Sequence, residues 1–310
     1  MKTLVIGGNG FIGCHLVDQL VEAGHSVRVL DRYPSRFRDQ LPGVEYVTGD
    51  LGNHGEVANA VKEMDWVFHL AYTTGPQTSN DDPVYDIRSN IGDSVQLLQE
   101  CRKSKVKKVI FISSGGTVYG VPKTIPIEEN HTTDPICSYG ITKLAIEKYL
   151  YLFYTQWGLD YVVLRFSNPY GVLQNPHAKQ GVIGVFLGNT AEGKPINIFG
   201  DGEIVRDYIY VTDAAQALIR AAEYKAGPSD PRIFNIGAGR GYSVNEIVDE
   251  IKKNIDRPVI VNHQPGRTID VPANVLDIKL AKKHLNWSAE TELGEGLRKT
   301  WSWITSLNPA

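Results

Sequence analysis

The chain has 310 residues, of which 42% are hydrophobic and 22% charged, and its formal net charge is −3 at pH 7. This length allows a sizeable core, and the charge balance excludes the basic surface of a nucleic-acid-binding protein. No apolar run approaches the ~18 residues of a membrane span. The three cysteines, Cys14, Cys101 and Cys137, lack a C-x-x-C spacing, so the sequence predicts free thiols, no metal site and a soluble cytoplasmic protein.

The first half of the chain alternates short apolar runs with helical patterns. The apolar runs are TLVIG (3–7), SVRVLD (26–31), VEYVTGD (44–50), DWVFHLA (65–71), KKVIFISS (107–114) and DYVVLRFSN (160–168). The segments that predict helices lie at 13–24, 54–64, 91–104 and from 139 onward. Strand–helix alternation of this kind predicts an α/β fold with a doubly wound parallel sheet of the Rossmann type.

The pattern changes after Asn168. Residues 194–211 predict two strands around a Gly-Asp-Gly turn, as in a hairpin. The elements predicted beyond them are a helix over 213–224, a strand over 232–237, a helix opened by a Ser243/Glu246 capping box, and a terminal helix over 290–304. We therefore predict a first domain over 1–170, completed in part by 208–236, and a smaller C-terminal α/β domain over 171–310.

A glycine-rich loop joins the first predicted strand to the first predicted helix. Gly7, Gly10 and Gly13 have a G-x-x-G-x-x-G spacing there. Glycines let the chain turn tightly off the strand, and they let backbone N–H groups at a helix N-terminus approach a pyrophosphate. A glycine turn without a ligand is the alternative. The order strand, glycines, helix and second strand favours a dinucleotide site.

The second predicted strand ends in Asp31 and Arg32. Asp31 has about the offset from the glycines at which a carboxylate binds the ribose hydroxyls of a dinucleotide. Its charge would repel a 2′-phosphate, which favours NAD over NADP. Arg32 is an argument the other way, because an arginine there can accommodate that phosphate. A solvated charge pair at a strand end is the alternative without function.

Tyr139 and Lys143 lie four residues apart in SYGITK (138–143). On a helix, the phenol and the ammonium would share one face. A tyrosine is a poor base at its ordinary pKa near 10, and an adjacent ammonium favours the phenolate. On its own, the pair also fits two amphipathic side chains that happen to be neighbours.

Several strings occur around this pair in a fixed order: GGNGFIG (7–13), FHLA (68–71), FISSGGTVYG (111–120), RFSNPYG (165–171), GDGEIVRDYIYVTD (200–213), FNIGAG (234–239) and LNW (285–287). With Tyr-x-x-x-Lys, they resemble the extended short-chain dehydrogenase/reductase family, in particular its nucleotide-sugar epimerases of the UDP-glucose 4-epimerase type. The resemblance runs along nearly the whole chain. It implies a Rossmann-type NAD domain followed by a nucleotide-sugar-binding domain.

The resemblance assigns catalytic roles to three residues. It implies that Tyr139 is the acid/base toward the sugar 4-hydroxyl, and that Lys143 activates Tyr139 and anchors the cofactor ribose. The third residue is a hydroxyl that binds the same sugar oxygen. Counted from the strand it is Ser114, but counting back from Tyr119 leads to Gly115. Ser113 and Thr117 therefore remain alternatives, with Ser113 also suited to fixing the strand end.

The resemblance also implies a set of cofactor contacts. His69 is expected to be structural, and the glycine run at 237–241 lacks the dinucleotide spacing, so it predicts a turn. The expected NAD-binding residues are Gly7, Gly10, Phe11, Ile12, Gly13, Asp31, Arg32, Asp50, Leu51, Leu70, Ala71, Tyr139 and Lys143.

The substrate contacts implied by the resemblance lie mostly in the second half. A diphosphate favours arginines, because a guanidinium can bind two phosphate oxygens with parallel hydrogen bonds. Arg206 and Arg267 match the two phosphate-binding arginines of the family. The further expected substrate-binding residues are Ser114, Thr117, Asn168, Phe199, Tyr208 and Asp270.

Two departures from related enzymes refine the expected chemistry. Nucleotide-sugar 4,6-dehydratases carry an Asp-Glu pair in the loop where this chain reads SGGT (114–117), so we reject dehydration. Asn274 stands where the family has a residue that limits space beside the sugar, and it is smaller than the tyrosine of glucose-restricted epimerases. The hypothesis is that a 2-acetamido sugar fits.

The sequence therefore predicts an NAD-dependent nucleotide-sugar 4-epimerase that acts on a UDP-sugar, by resemblance through a transient 4-keto intermediate. The alternative is an NAD(P)H-dependent nucleotide-4-ketosugar reductase with the same Tyr139 and Lys143. We expect no nucleic-acid or membrane partner. The family resemblance implies a homodimer, with residues 91–104 and 139–156 as the candidate contact helices.

Overall fold

The computed structural model describes residues 1–178, 180–266 and 271–307. Two predicted substrate-binding residues, Arg267 and Asp270, lie outside the described residues. No helix in the described ranges combines the length and the apolar character that a bilayer crossing requires.

Strands and helices alternate along most of the chain. The strands are β1 (Lys2–Ile6), β2 (Ser26–Asp31), β3 (Glu45–Thr48), β4 (Trp66–His69), β5 (Lys108–Ser114), β6 (Asp160–Phe166), β7 (Asn168–Tyr170), β8 (Ile196–Phe199), β9 (Val205–Tyr210), β10 (Ile233–Ile236), β11 (Gly241–Ser243), β12 (Val261–Gln264) and β13 (Ala273–Asn274). The helices are α1 (Phe11–Glu22), α2 (His54–Val61), α3 (Pro83–Asp86), α4 (Asp93–Lys103), α5 (Ser138–Trp157), α6 (Val182–Ala191), α7 (Val211–Glu223), α8 (Val244–Asn254), α9 (Lys279–Leu285) and α10 (Leu293–Leu307). A 3₁₀ turn spans Thr78–Asn80, and a π-helical turn spans Ile87–Gly92 between α3 and α4.

Seven strands form one parallel sheet in the order β10-β6-β5-β4-β1-β2-β3. The prediction of a doubly wound, Rossmann-type α/β fold is confirmed. The strand order reverses between β1, which pairs with β2, and β4, which pairs with β1 from the other side. In such sheets, ligands bind in the crevice at the carboxyl ends of the strands on either side of this reversal.

Both faces of this sheet are covered by helices. Alternate side chains of a strand point to opposite faces. Val5 of β1 accordingly packs with Leu16 of α1 on one side, while Leu4 and Ile6 pack with Val57 of α2 on the other. Burial on both faces explains why these strands read as continuous apolar runs in the sequence.

The strands outside the large sheet form two smaller sheets. β9 pairs with β7, β11 and β13, and β8 pairs with β12. The prediction of two strands around the Gly-Asp-Gly turn holds, but the implied hairpin is wrong, because β8 pairs in parallel with β12 while β9 belongs to the other small sheet. Gly200 and Gly202 have φ angles of +76° and +80°, so the turn leads the chain from one sheet to the other.

Candidate active site

The glycine loop leaves β1 at the strand-order reversal. Gly7 has φ +83°, and a Cβ there would lie 2.9 Å from the Ala71 backbone nitrogen. A Cβ at Gly13 would lie 2.2 Å from the Gly7 carbonyl oxygen. Glycine is therefore required at both positions, first by conformation and contact, then by the packing of α1 on the loop.

The loop has the properties of an anion-binding site. α1 begins at Phe11, and Gly10 before it has no side chain to cap the first N–H groups. Uncapped N–H groups at a helix N-terminus favour a phosphate. The residues present at this loop therefore fit the pyrophosphate of a dinucleotide.

A cavity of about 270 Å³ lies at this end of the sheet. Seven of the predicted cofactor residues line it, namely Gly7, Gly10, Asp31, Arg32, Leu51, Leu70 and Ala71. Asp50 lines an adjoining cavity that shares Arg32. Phe11 and Ile12 are partly buried residues of the first turn of α1 and do not line the described part of either cavity.

Asp31 and Arg32 have different surroundings. An Asp31 carboxylate oxygen accepts the Asn9 backbone N–H at 2.9 Å, and burial raises the pKa of Asp31. The Arg32 guanidinium forms an ion pair with Asp50, with Nε–Oδ2 at 2.8 Å, and both side chains are partly exposed. Arg32 is thus held by a carboxylate, which weakens the case for a 2′-phosphate there.

The Tyr139–Lys143 pair lies in the first turns of α5, as predicted. Lys143 is 2% exposed, and its Nζ donates to the Ile112 carbonyl at 2.8 Å. The same Nζ lies 3.9 Å from the centroid of the Tyr72 ring and 5.6 Å from that of Tyr139. The Tyr72 and Tyr139 rings contact each other edge to face, with centroids 4.9 Å apart.

The proton equilibria of this pair are strongly perturbed. Burial lowers the pKa of Lys143 to about 7, opposed by Glu147 and Asp86. Burial also raises the pKa of Tyr139, and Cys137 and Asp86 add to that shift. The expectation that Lys143 favours the phenolate stays a prediction, because burial, the largest cause of the shift, favours the neutral phenol.

The hydroxyl loop at the end of β5 supplies two groups to a second cavity. Ser114 and Thr117 both line it, and the buried Thr117 Oγ1 atom has no hydrogen-bond partner among the residues that the structure describes. The Ser113 hydroxyl instead donates to Glu147 Oε1 at 2.5 Å and is buried. It belongs to a network in which Glu147 also pairs with Arg165 at 2.6 Å.

Packing against Leu276 explains why this loop has a glycine at position 115. A Cβ added to Gly115 would lie 2.6 Å from Leu276 Cδ1. Asn274 is 1% exposed, and its Nδ2 donates to the Gly115 carbonyl at 3.0 Å. Asn274 therefore stabilises the loop through its hydrogen bond to the Gly115 carbonyl.

The second cavity, of about 770 Å³, also contains predicted diphosphate ligands. Asn168 and Arg206 line it together with the hydroxyl loop and Cys137. Asn168 Nδ2 donates to the Asp207 carbonyl at 2.9 Å. Arg206 donates to the carbonyls of Val205 and Val271 at 2.8 and 2.7 Å, so its position is fixed by the backbone.

Two predicted aromatic contacts lie elsewhere. Tyr208 is 6% exposed within the hydrophobic core of the smaller sheets, and within the described part of the chain its hydroxyl has no hydrogen-bond partner. Phe199 is 39% exposed on β8. Neither side chain lines the described part of the cavity, and their roles as walls around the nucleotide stay predictions.

Other residues of the site were missed or left open by sequence reasoning. Tyr72, which lines the cofactor cavity, and Asp86, which is fully buried, belong to no recognised string. Their signal is spatial, since both contact the first turns of α5. His69 Nε2 is 2.8 Å from Ser94 Oγ, and burial lowers the pKa of His69 to about 3, as suits a neutral structural histidine.

A doubly wound sheet with a glycine loop at its strand-order reversal defines a dinucleotide-binding α/β protein. Residues 3–237 match the model of the NAD dependent epimerase/dehydratase family. The chain belongs to this family, which confirms the predicted relationship and NAD as the cofactor.

Individual relatives cover almost the whole chain. A putative UDP-glucose 4-epimerase of Methanocaldococcus jannaschii is 36% identical over 98% of this chain and 99% of its own length. A dTDP-4-dehydro-6-deoxyglucose reductase of Escherichia coli is 33% identical over 96% of this chain and 95% of its own. The crystal structure of a Thermotoga maritima UDP-glucose 4-epimerase with UDP-glucose superposes with a TM-score of 0.92, at 36% identity and 99% coverage of both chains.

Proposed function

We propose that this protein is an NAD-dependent nucleotide-sugar 4-epimerase that acts on UDP-sugars. The observation that carries the proposal is that Tyr139 adjoins a residue lining each of the two cavities. Its ring contacts Tyr72, which lines the cofactor cavity, and it is two residues from Cys137, which lines the second cavity. A proton-transfer group at this junction suits chemistry between a dinucleotide and a bound sugar.

The chain's own residues divide the work. Tyr139 takes the proton of the sugar 4-hydroxyl and later returns it, while Ser114 or Thr117 hydrogen-bonds the same oxygen. Lys143 holds the cofactor ribose beside Tyr139. Asn168 and Arg206 bind the diphosphate, so that the sugar can present either face without release. NAD held at the glycine loop would supply the hydride acceptor for sugar C4 and the donor for its return.

Burial of the Tyr139–Lys143 pair suits a reaction that passes through a transient keto sugar. The Tyr139 and Lys143 side chains lie in a desolvated environment, as the effect of burial on both pKa values indicates. Exclusion of water protects a transient 4-keto sugar between the two half-reactions. The epimerase names of the relatives in two organisms support the same conclusion.

A 4-ketosugar reductase is the second candidate, and the Escherichia coli relative supports it. Such an enzyme would use Tyr139 and Lys143 in the same way but consume its reduced cofactor. Asp31 and the Arg32–Asp50 ion pair favour NAD over NADP at the ribose. This supports the epimerase, because ketosugar reductases more often prefer a 2′-phosphate.

The substituent at C2 of the sugar is the subject of a separate proposal. Asn274 leaves more space than the tyrosine of glucose-restricted epimerases, so a 2-acetamido sugar fits the hypothesis. Its side chain donates to the carbonyl of Gly115, the residue after Ser114, and Ser114 lines the second cavity. Turnover of UDP-glucose with none of UDP-N-acetylglucosamine would overturn this part alone.

We also propose a cytoplasmic homodimer in which residues 1–170 with β10 form the cofactor domain and most of the remainder forms the substrate domain. The apolar side chains of Ile141, Tyr149 and Leu152 on α5 are 54, 38 and 39% exposed. Such exposure supports a partner for this helix. Light scattering of the wild type and of Leu152→Lys tests it: a dimer that dissociates supports the contact, and a monomeric wild type contradicts it.

The function is tested with a panel of nucleotide sugars and no added cofactor. The panel comprises UDP-glucose, UDP-N-acetylglucosamine, UDP-glucuronic acid and dTDP-glucose, with 4-epimer formation followed by NMR. We expect a 4-epimer from at least one UDP-sugar, with NAD released from the purified protein on denaturation. No epimer from any sugar, together with NADPH-dependent reduction of a 4-ketosugar, would establish the reductase instead.

A further inference from the structure

Asp86 is a fully buried carboxylate at the end of α3, with 0% of its surface exposed. A buried carboxylate is costly unless several hydrogen bonds satisfy its oxygens. Asp86 Oδ2 accepts from the hydroxyls of Ser138 and Thr142, at 2.7 and 3.1 Å. Its Oδ1 accepts from Asn90 Nδ2 at 2.9 Å and from the Thr74 hydroxyl.

These four donors come from three different parts of the chain. Ser138 and Thr142 flank Tyr139 on the first turn of α5. Thr74 lies in the segment after β4, and Asn90 lies in the π-helical turn Ile87–Gly92. Turns of this kind often occur at functional sites. Asp86 is thus the common acceptor that joins this turn and the segment after β4 to the helix that carries Tyr139.

The contacts around Asp86 continue to the reacting side chains. Thr142 Oγ1 also hydrogen-bonds the Tyr72 hydroxyl, and the Tyr72 ring contacts both Tyr139 and Lys143. The Tyr139 backbone N–H donates to the Ser79 hydroxyl at 3.0 Å in the same segment. A rotation of α5 at its first turn would therefore move Tyr139 relative to both cavities.

We propose that Asp86 is a positioning residue for the proposed epimerase reaction, which holds Tyr139 and Lys143 in place by fixing the first turn of α5 to the segment that follows β4. The inference rests on the proposed function, because it assigns Asp86 a part in that chemistry. A carboxylate is suited to this role because its two oxygens can accept all four hydrogen bonds, whereas an amide has one accepting oxygen.

The charge of Asp86 adds an electrostatic effect that a purely structural residue would lack. Asp86 contributes to the raised pKa of Tyr139 and opposes the lowering of the pKa of Lys143. The other titratable groups facing the pair are the Cys137 thiol and Glu147 of α5, the Tyr72 phenol and His69. A negative charge favours the protonated form of both side chains, so its removal lowers both pKa values.

The test compares wild type with Asp86→Asn, an isosteric change that removes the charge. For Asp86→Asn we expect kcat to fall by about tenfold or more, KM for the UDP-sugar to change little, and both limbs of the pH profile to move about 0.5–1 unit to lower pH. Asp213→Asn is the matched control. Asp213 is also buried and accepts the Thr291 backbone N–H at 2.9 Å, but it lies outside the site.

A lower melting temperature with unmoved pH limbs in both variants would show that Asp86 is merely structural, and would overturn the proposal. If Asp86→Asn does not fold, Ser138→Ala serves instead, because it removes one helix donor and keeps the charge. We then expect kcat to fall at unchanged KM and NAD content. An unchanged kcat would contradict the positioning role.

A second readout does not depend on turnover. The phenolate of Tyr139 can be titrated by ultraviolet difference between each protein and its Tyr139→Phe counterpart, with NAD bound. We expect the Tyr139 transition to move to lower pH in Asp86→Asn, and an unmoved transition would contradict the electrostatic effect. Failure of wild type to epimerise any sugar would overturn the proposed function alone, since this titration would still report on Asp86.

Discussion

The cofactor cavity and the substrate cavity are built in different ways. The first is shaped by backbone, because Gly7 and Gly13 leave room for close approach of the chain and of a pyrophosphate. The second is shaped by side chains such as Ser114, Asn168 and Arg206, which come from distant segments. A contiguous loop can therefore specify the cofactor site, whereas the substrate site exists only once the fold brings its segments together.

Tyr139 is not among the residues that shape either cavity, so replacing it should leave both cavities intact. We expect Tyr139→Phe to lower kcat by about 10²–10⁴-fold, because only the proton-transferring hydroxyl is removed. NAD content and melting temperature should match wild type. Tyr151→Phe, at a tyrosine of the same helix that is 58% exposed, is the control. If kcat of Tyr139→Phe were within a few-fold of wild type, the Tyr139 hydroxyl would not be needed for the reaction.

A methyl group at Gly7 should break the cofactor cavity selectively. In Gly7→Ala the new Cβ would lie 2.9 Å from the Ala71 nitrogen, and we expect NAD binding to weaken by at least about tenfold, the equivalent of ~1.4 kcal/mol. The measurement is the NAD content of the purified protein and its affinity for added NAD.

Gly24→Ala is matched to this change in backbone conformation. Gly24 has φ +75°, close to that of Gly7, but a Cβ there would meet no atom of the described ranges within 4 Å. Both variants should therefore carry similar backbone strain, but only Gly7→Ala adds the contact with Ala71 and should lose NAD. Equal loss of NAD in the two variants would indicate general destabilisation rather than damage to the cofactor cavity.

Substitution of Arg206 should affect the other cavity. Hydrogen bonds to charged groups contribute about 1.5–3 kcal/mol, so Arg206→Lys should raise KM for the UDP-sugar about 10–100-fold. NAD content should not change. Arg220→Lys is the control, since Arg220 is partly exposed in an ion pair with Glu223 at 3.6 Å. A fall in NAD content without a rise in KM would reverse the assignment of the cavities.

The smallest expected effect concerns Arg32. Its ion pair with Asp50 is about half exposed, and such pairs contribute about 0–1 kcal/mol. Arg32→Ala should therefore change the affinity for NAD less than about fivefold, with the affinity measured by titration alongside NADP. A large loss of NADP binding would show that Arg32 accommodates a 2′-phosphate after all.

The contrast between a contiguous glycine loop and a cavity built from distant segments also explains which features could be predicted from the sequence. The sheet, Gly7 and Asp31 were predictable, because strand–helix alternation and a local glycine spacing specify them directly. The prediction of a β8–β9 hairpin was wrong, because glycine turns do not reveal which strand each neighbour will pair with. The spacing of Tyr139 and Lys143 predicted that their side chains share a helix face. It could not predict the burial that shifts both of their pKa values.

The site residues that escaped prediction share a physical cause. Asp86 and Tyr72 lie between β4 and α4, and the partners that connect them to α5 are distant in sequence. Ser138 and Asp86, for example, are 52 positions apart. No local periodicity records such contacts. The choice among Ser113, Ser114 and Thr117 likewise needed the fold, which engages the Ser113 hydroxyl with Glu147.

The fate of the hydrogen at sugar C4 tests the central proposal most directly. UDP-glucose or UDP-N-acetylglucosamine deuterated at C4 is incubated with the purified protein and no added cofactor, and the product is read by NMR and mass spectrometry. Epimerisation predicts a 4-epimer that retains deuterium at C4, because the same hydride returns to the other face of the sugar. No epimer without added NADPH, and an unlabelled C4 hydrogen delivered to a 4-keto sugar when NADPH is supplied, would contradict the epimerase and establish a reductase.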